Sequence, residues 1–202
     1  MKKIIGLVSA VLFLFYAVPC AANSAEDFYM DFNGFEMAVE SETDNFYNGI
    51  NVRGTRSGDT YAGVYPASFQ GDSFAEMRAN CGNTLRIYKV FGSPYENSVS
   101  VSTEILIRDQ NVRRCIKFRG VNSGGKTIDE QTVFYIDRIN GNMVLWGEKI
   151  GCAAETDKLY KITLSYNMNS GLMKCEIFES GKLIADKSAE IGLDLKTLAN
   201  IY

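Results

Sequence analysis

The chain predicts an all-β fold, an antiparallel two-sheet β-sandwich of the jelly-roll kind, and three observations predict it. Segment after segment alternates apolar and polar residues with period two; these runs are bounded by Gly, Asn, Ser or Asp; and few stretches carry an apolar stripe at helical spacing. Ten or so short strands joined by turns rather than helical crossovers pack as antiparallel sheets face to face, with a closed barrel as the alternative. A chain of 202 residues, 46% of them hydrophobic, also buries a core without covalent staples.

In chain order, Lys2 and Lys3 precede an apolar run from Ile4 to Val18, and Pro19, Cys20, Ala21 and Ala22 supply a break and small residues for cleavage. Residues 1–22 therefore read as a signal peptide, because the run falls short of the roughly 20 residues that cross a bilayer. A lipoprotein anchored through Cys20 fits less well with Pro19 directly before it. Residues 23–202 are left as one domain of a secreted or cell-surface protein with no stable membrane span.

Phe28, Met30 and Phe32 alternate before an Asn33-Gly34 turn. Val99, Val101, Thr103, Ile105 and Ile107 line one face of a long strand, with Ser100, Ser102, Glu104 and Leu106 on the other. Val112, Arg114, Ile116 and Phe118 continue the pattern. Tyr160, Ile162, Leu164 and Tyr166 form another strand, Asn167 to Gly171 turn the chain into Met173, Cys175 and Ile177, and Ser180-Gly181 makes a tight turn.

Asn140-Gly141 predicts a two-residue type I′ hairpin. Its register sets Ile136 opposite Leu145, Arg138 opposite Met143 and Phe134 opposite Gly147 on one face. On the other face, Tyr135 opposes Trp146 and Asp137 opposes Val144. The second face, with the only tryptophan paired to a tyrosine and flanked by Asp137 and Glu148, suits a sugar platform: a ring stacks on the apolar side of a pyranose and carboxylates accept hydroxyl hydrogen bonds. The bland alternative buries Trp146 under a loop.

Charge is uneven. Without Lys2 and Lys3 the 21 basic residues become 19 against 24 acidic ones, a net charge of −5 that argues against nucleic acid as a partner. Residues 78–126 form a basic island, with 9 basic and 3 acidic side chains, after an acidic stretch over residues 23–77. Arg86, Arg113, Lys117 and Arg119 read either as a surface for an anionic ligand such as an acidic polysaccharide, or as partners of the acidic N-terminal strands across a sheet. Cys81, Cys115, Cys152 and Cys175 permit two disulfides in three connectivities, or pack as small apolar thiols. Glu40, Glu42 and Asp44 are candidate oxygen ligands for a structural calcium ion, without EF-hand spacing, and read equally as a solvated acidic turn.

The acidic opening strand from Asp27 to Phe32, Tyr47-Asn48-Gly49, Gly71-Asp72-Ser73-Phe74, the strand Val99 to Ile107, the hairpin Val133 to Trp146, and the unit Leu159 to Asn167 with Ser170-Gly171 occur in that order. Together they resemble the concanavalin A-like or laminin G-like jelly-roll superfamily. The resemblance implies two curved antiparallel sheets whose concave face binds carbohydrate, at times beside a structural calcium. In that superfamily the last strand returns beside the first, whereas this chain stops at Ile201-Tyr202 where such a strand would start. The expectation is a sequence truncated in its last strand, or the N-terminal module of a longer surface protein.

Catalysis has weaker support. The chain has no histidine, which removes Ser-His-Asp and Cys-His nucleophile systems and two-histidine zinc sites. The Glu-x-Asp-x-x-Glu or Glu-x-Asp-x-Glu run of hydrolases on this fold does not occur. Asp137 and Glu148, four residues apart in the inferred register, stand roughly 13 Å apart, beyond the 5 to 9.5 Å or so of a glycosidase dyad. Glu76-Met77-Arg78 resembles part of the arginine-rich strand of alginate-lyase-like members, leaving a tyrosine as acid and base with Arg113 or Arg119 neutralising a substrate carboxylate.

The leading expectation is a non-catalytic, exported, monomeric carbohydrate-binding or cell-surface adhesion module. Trp146 and Tyr135 stack on sugar rings, and Asp137, Glu148, Arg113, Lys117 and Arg119 make polar contacts. A polysaccharide lyase on the same fold is the alternative.

Overall fold

Hydrogen-bonded ladders between alternating strands account for the whole architecture of the computed structural model, which describes residues 45–47, 50–57, 60–69, 72–79, 86–108 and 113–202. Residues 1–22, the expected opening strand from Asp27 to Phe32, Glu40, Glu42, Asp44 and Cys81 lie outside the described residues. Among the latter there are fifteen strands and no helix. They are β1 (Asn45–Tyr47), β2 (Ile50–Arg53), β3 (Thr55–Ser57), β4 (Thr60–Phe69), β5 (Asp72–Ala79), β6 (Arg86–Glu96), β7 (Ser98–Leu106) and β8 (Arg114–Val121). β9 (Thr127–Ile136), β10 (Asn142–Leu145), β11 (Glu148–Ala153), β12 (Leu159–Asn167), β13 (Leu172–Glu179), β14 (Lys182–Glu190) and β15 (Thr197–Ile201) follow.

All pairings are antiparallel. An eight-stranded sheet has the order β1-β2-β6-β15-β8-β9-β10-β11, a four-stranded sheet the order β14-β13-β12-β7, and a three-stranded sheet the order β3-β4-β5. One hydrophobic core draws on the first two: Ile116, Phe118 and Phe134 from the larger, Ile162, Leu164 and Tyr166 from the smaller. The Phe118 and Tyr166 rings meet across the gap with centroids 6.3 Å apart. On the long strand Val99, Val101, Thr103, Ile105 and Ile107 are all buried as expected, but so are Ser102 and Leu106 of the opposite face, leaving only Ser100 and Glu104 half-buried there. Val64 of the three-stranded sheet joins the same core, whose burial removes apolar surface from water at about 25 cal/mol per Å².

After β14, residues 191–196 carry the chain to the middle of the other sheet, and Ile191, Leu193 and Leu195 insert inward as they go. The buried Tyr166 hydroxyl donates to the Leu193 carbonyl at 2.7 Å, pinning this crossing to β12. β15 then pairs on both sides, with β6 and with β8. β15 thus lies in the interior of the eight-stranded sheet, between β6 and β8. Gly120 makes that seam possible, since a Cβ there would lie 1.8 Å from the Thr197 carbonyl oxygen.

The hairpin register differs from expectation. Met143 faces Ile136, Val144 faces Tyr135 and Leu145 faces Phe134, a slip of two residues that keeps each side chain on its expected face but changes every partner. Asp137 causes it. Its carboxylate Oδ1 accepts the Ile139 and Asn140 N–H groups at 2.8 and 3.4 Å, and its carbonyl accepts the Gly141 N–H at 3.0 Å. The result is a four-residue loop, Arg138 to Gly141, in which Gly141 has a φ of 69°. Asn167 builds the same loop again: its Oδ1 accepts the Asn169 and Ser170 N–H groups at 3.0 and 3.1 Å, and Gly171 also has a φ of 69°. Two-residue turns with both φ positive occur instead at Trp146-Gly147 (45° and 84°) and, as expected, at Ser180-Gly181 (51° and 79°).

Cys115, Cys152 and Cys175 are free thiols. Cys175 is fully buried, and Cys152 Sγ lies 3.6 Å from Met143 Sδ, so these thiols behave as the packed, weakly polar groups of the second reading.

Candidate functional site

The outer face of the eight-stranded sheet gathers the basic island. On β6, Ile87 turns inward, which turns Arg86 and Tyr88 outward; on β8, buried Ile116 and Phe118 leave Cys115, Lys117 and Arg119 outward. β15 lies between them and is followed by Tyr202, whose N–H and carbonyl exchange hydrogen bonds with Lys117 at 3.0 Å each. Strand order thus sets Arg86 and Tyr88, Tyr202, Lys117 and Arg119, and then Glu130 side by side, although they come from four separate parts of the chain.

The groups interlock. Tyr88 and Tyr202 stack with ring centroids 5.0 Å apart and planes inclined by 25°. The Arg86 guanidinium lies 6.0 Å from the Tyr202 ring centre, and Asn200 Nδ2 approaches the Tyr202 hydroxyl at 3.5 Å. Glu130 binds Arg86 Nη1 through Oε1 and Lys117 Nζ through Oε2, each at 2.9 Å. Arg119 hydrogen-bonds Tyr202, which holds its guanidinium further toward the charged form, and its Nε is 3.9 Å from Asp129 Oδ1. Among the described residues, the partners of these cations are therefore the β9 carboxylates Glu130 and Asp129.

Two residues along, Arg113 lays its guanidinium 4.0 Å above the Tyr135 ring, a separation at which a cation is attracted to the ring face. Tyr135 opposes Cys115 on one side and Val144 on the other. Burial pushes the Cys115 thiol up, while Arg113 and Lys117 pull it back. Tyr135, Arg113, Lys117 and Arg119 thus share one face.

The other three expected contacts are placed differently. Trp146 is not the cross-strand partner of Tyr135: it opens the tight turn after β10, donates its N–H to the Val133 carbonyl at 2.9 Å, and packs half-buried against the core. Asp137 is engaged in shaping its loop. Glu148 opposes the buried Leu145 and bridges to Lys187 of the other sheet at 2.8 Å, away from the Tyr135 face. Glu76 and Arg78, the faint lyase signature, pair with each other, and the Arg78 guanidinium lies 5.1 Å from the Tyr65 ring centre.

Sequence reasoning missed Tyr88, Tyr202 and Glu130. The Arg86-Ile87-Tyr88 alternation carried a signal for the first; nothing local marked Tyr202, which gains its neighbours only by inserting β15 into the sheet. At one end of the sandwich, a shallow cleft of about 280 Å³ includes Asn97, Ser123, Asn169 and Asp194. Its polar groups largely satisfy one another, with Ser123 Oγ donating to Asp194 at 2.8 Å and Asn169 Nδ2 to Asn97 at 3.2 Å.

No known family model, curated protein or solved structure matches this chain.

Proposed function

We propose that the chain is an exported, non-catalytic module of the concanavalin A-like or laminin G-like kind that binds a glycan or cell-surface polymer. The outer face of the eight-stranded sheet is its binding surface. The observation that carries this reading is the interleaving of aromatic rings with cations on that one face: Tyr135 under Arg113, and stacked Tyr88 and Tyr202 bordered by Arg86, Lys117 and Arg119. A sugar ring offers an apolar side to a tyrosine face and hydroxyl or acidic groups to the flanking cations. The three rings are half-buried, and fixed charges flank them on the same face. Trp146, packed against the core at the turn after β10, contributes less to this surface.

A glycan array with wild type, Tyr88→Ala, Tyr135→Ala and Trp146→Ala tests this. Binding is expected in the wild type, with a loss of about tenfold or more in Tyr88→Ala or Tyr135→Ala and a smaller loss in Trp146→Ala. A protein that retains no polymer on the array, or three variants that bind as the wild type does, refutes the surface.

The placement of Tyr202 on the strand run beside Lys117 and Arg119 supports one second reading, a polysaccharide lyase in which the phenol exchanges the proton while arginine neutralises a uronate carboxylate. Incubation with uronic-acid polymers then raises ultraviolet absorbance from unsaturated chain ends. The binding module leaves it flat.

A further inference from the structure

We infer that Glu130 occupies the seat of a ligand carboxylate, so that the polymer recognised is polyanionic, of the uronate class, and Glu130 is its built-in competitor. This rests on the glycan-binding reading of the same face. Three observations carry it. First, Arg86 and Lys117 converge on one carboxylate, each cation taking a different oxygen at 2.9 Å. Second, they come from strands that are not neighbours: β15 separates β6 from β8, and the Arg86 side chain passes by the Tyr202 ring to reach β9. Lys117 meets Glu130 across its own β8–β9 ladder, but Arg86 reaches the same carboxylate from two strands further off, across β15 and β8. Third, the pair sits beside the Tyr88 and Tyr202 stack, so a carboxylate and the ring that bears it find an anion seat and an aromatic surface adjacent to one another.

Glu130 lies on a strand surface with its side chain one-fifth exposed, and neither cation is buried. A partly solvated pair of this kind is held weakly enough for exchange with an incoming carboxylate, whose multivalency along a polymer compensates for the competition. With Glu130 in place the two cations are half-neutralised, which suppresses binding of isolated small anions and favours a repeating ligand. No bond is made or broken in the exchange.

The test measures affinity for polygalacturonate and for its fully methyl-esterified form, with wild type, Glu130→Gln, Glu130→Ala, Lys117→Gln and Arg86→Gln. A denaturation midpoint on each variant verifies the fold. The inference expects both Glu130 variants to bind the acid polymer about threefold tighter or more, since a competing anion is removed, and both cation variants to bind it more weakly. The esterified polymer should bind weakly and alike throughout. Glu130 variants that bind the acid polymer no better than wild type overturn the inference and leave Glu130 a structural ion-pair partner. Equal wild-type binding of acid and ester overturns it too, while the glycan-binding reading survives. Absence of binding to both polymers, with binding to another glycan on the array, overturns the uronate assignment alone; absence on the array as well removes both readings.

Discussion

Tyr166 illustrates how single side chains hold the two layers in place. Its ring packs near Phe118 of the opposite sheet, and its hydroxyl donates to the Leu193 carbonyl at 2.7 Å in a site with almost no solvent access. Replacing it with phenylalanine keeps the packing and leaves that carbonyl without the donor. Tyr166→Phe should therefore lower stability by about 1 to 2 kcal/mol, read as a shift in urea midpoint with an unchanged slope. A midpoint within error of wild type would mean that water replaces the hydroxyl and that the crossing segment is looser than drawn. The same scale explains which site residues were legible. Arg113, Lys117 and Arg119 share a side because period-two alternation turns them there, whereas Tyr135 joins them only through the pairing of β9 with β8. Tyr88 and Tyr202, 114 positions apart in the sequence, meet only through a pairing that no local pattern encodes.

The turns decide register at the level of elements, and two glycines separate the causes. A Cβ on Gly141, where φ is 69°, would lie 2.4 Å from the Ala154 carbonyl oxygen, whereas on Gly147, where φ is 84°, it would meet nothing within 4 Å. Gly147→Ala should cost about 1 kcal/mol, the ordinary penalty of a left-handed alanine, and Gly141→Ala about 3 kcal/mol or more because the loop must also move off Ala154, just past β11. Equal urea midpoints for the two variants would show that the Ala154 contact does not constrain the loop. This contrast also explains the slip in the predicted hairpin. Asn-Gly is a strong two-residue signal, but Asp137 three residues earlier captures the N–H groups of Ile139 and Asn140 and makes Gly141 the last position of a four-residue loop. Where no such acceptor intervenes, as at Ser180-Gly181, the tight turn forms as the dipeptide predicts. The long strands were legible because one face of each is buried; the position of β15 was not, because five residues between two distant strands follow from which gap the sheet leaves open.

For the whole molecule, burying acids in a chain without histidine gives stability a distinctive dependence on pH. Burial pushes the Cys175, Cys152 and Cys115 thiols up, and likewise the Tyr160 and Tyr166 phenols. Folded groups with raised pKa values keep their protons where the unfolded chain has begun to lose them, so rising pH favours the unfolded state. Their contribution is complete below the unfolded thiol value of about 8.5, declines as pH rises above it, and declines further from about 10 as unfolded tyrosines ionise. Glu104, also pushed up by burial against the opposing pull of Lys161, acts in the same sense in the acid range, losing its contribution as pH rises past about 4.3. The urea midpoint should then fall between about pH 8.5 and 10, with Cys175 alone accounting for about 2 kcal/mol, because its folded value stands well above that window. Cys175→Ala starts from a lower stability, since it opens a cavity in the core, but should fall less steeply over the same range. Parallel curves for wild type and variant would place the titrating groups elsewhere, and a level wild-type curve would mean that the sandwich admits hydroxide or water to the thiol, contrary to a core closed by both sheets.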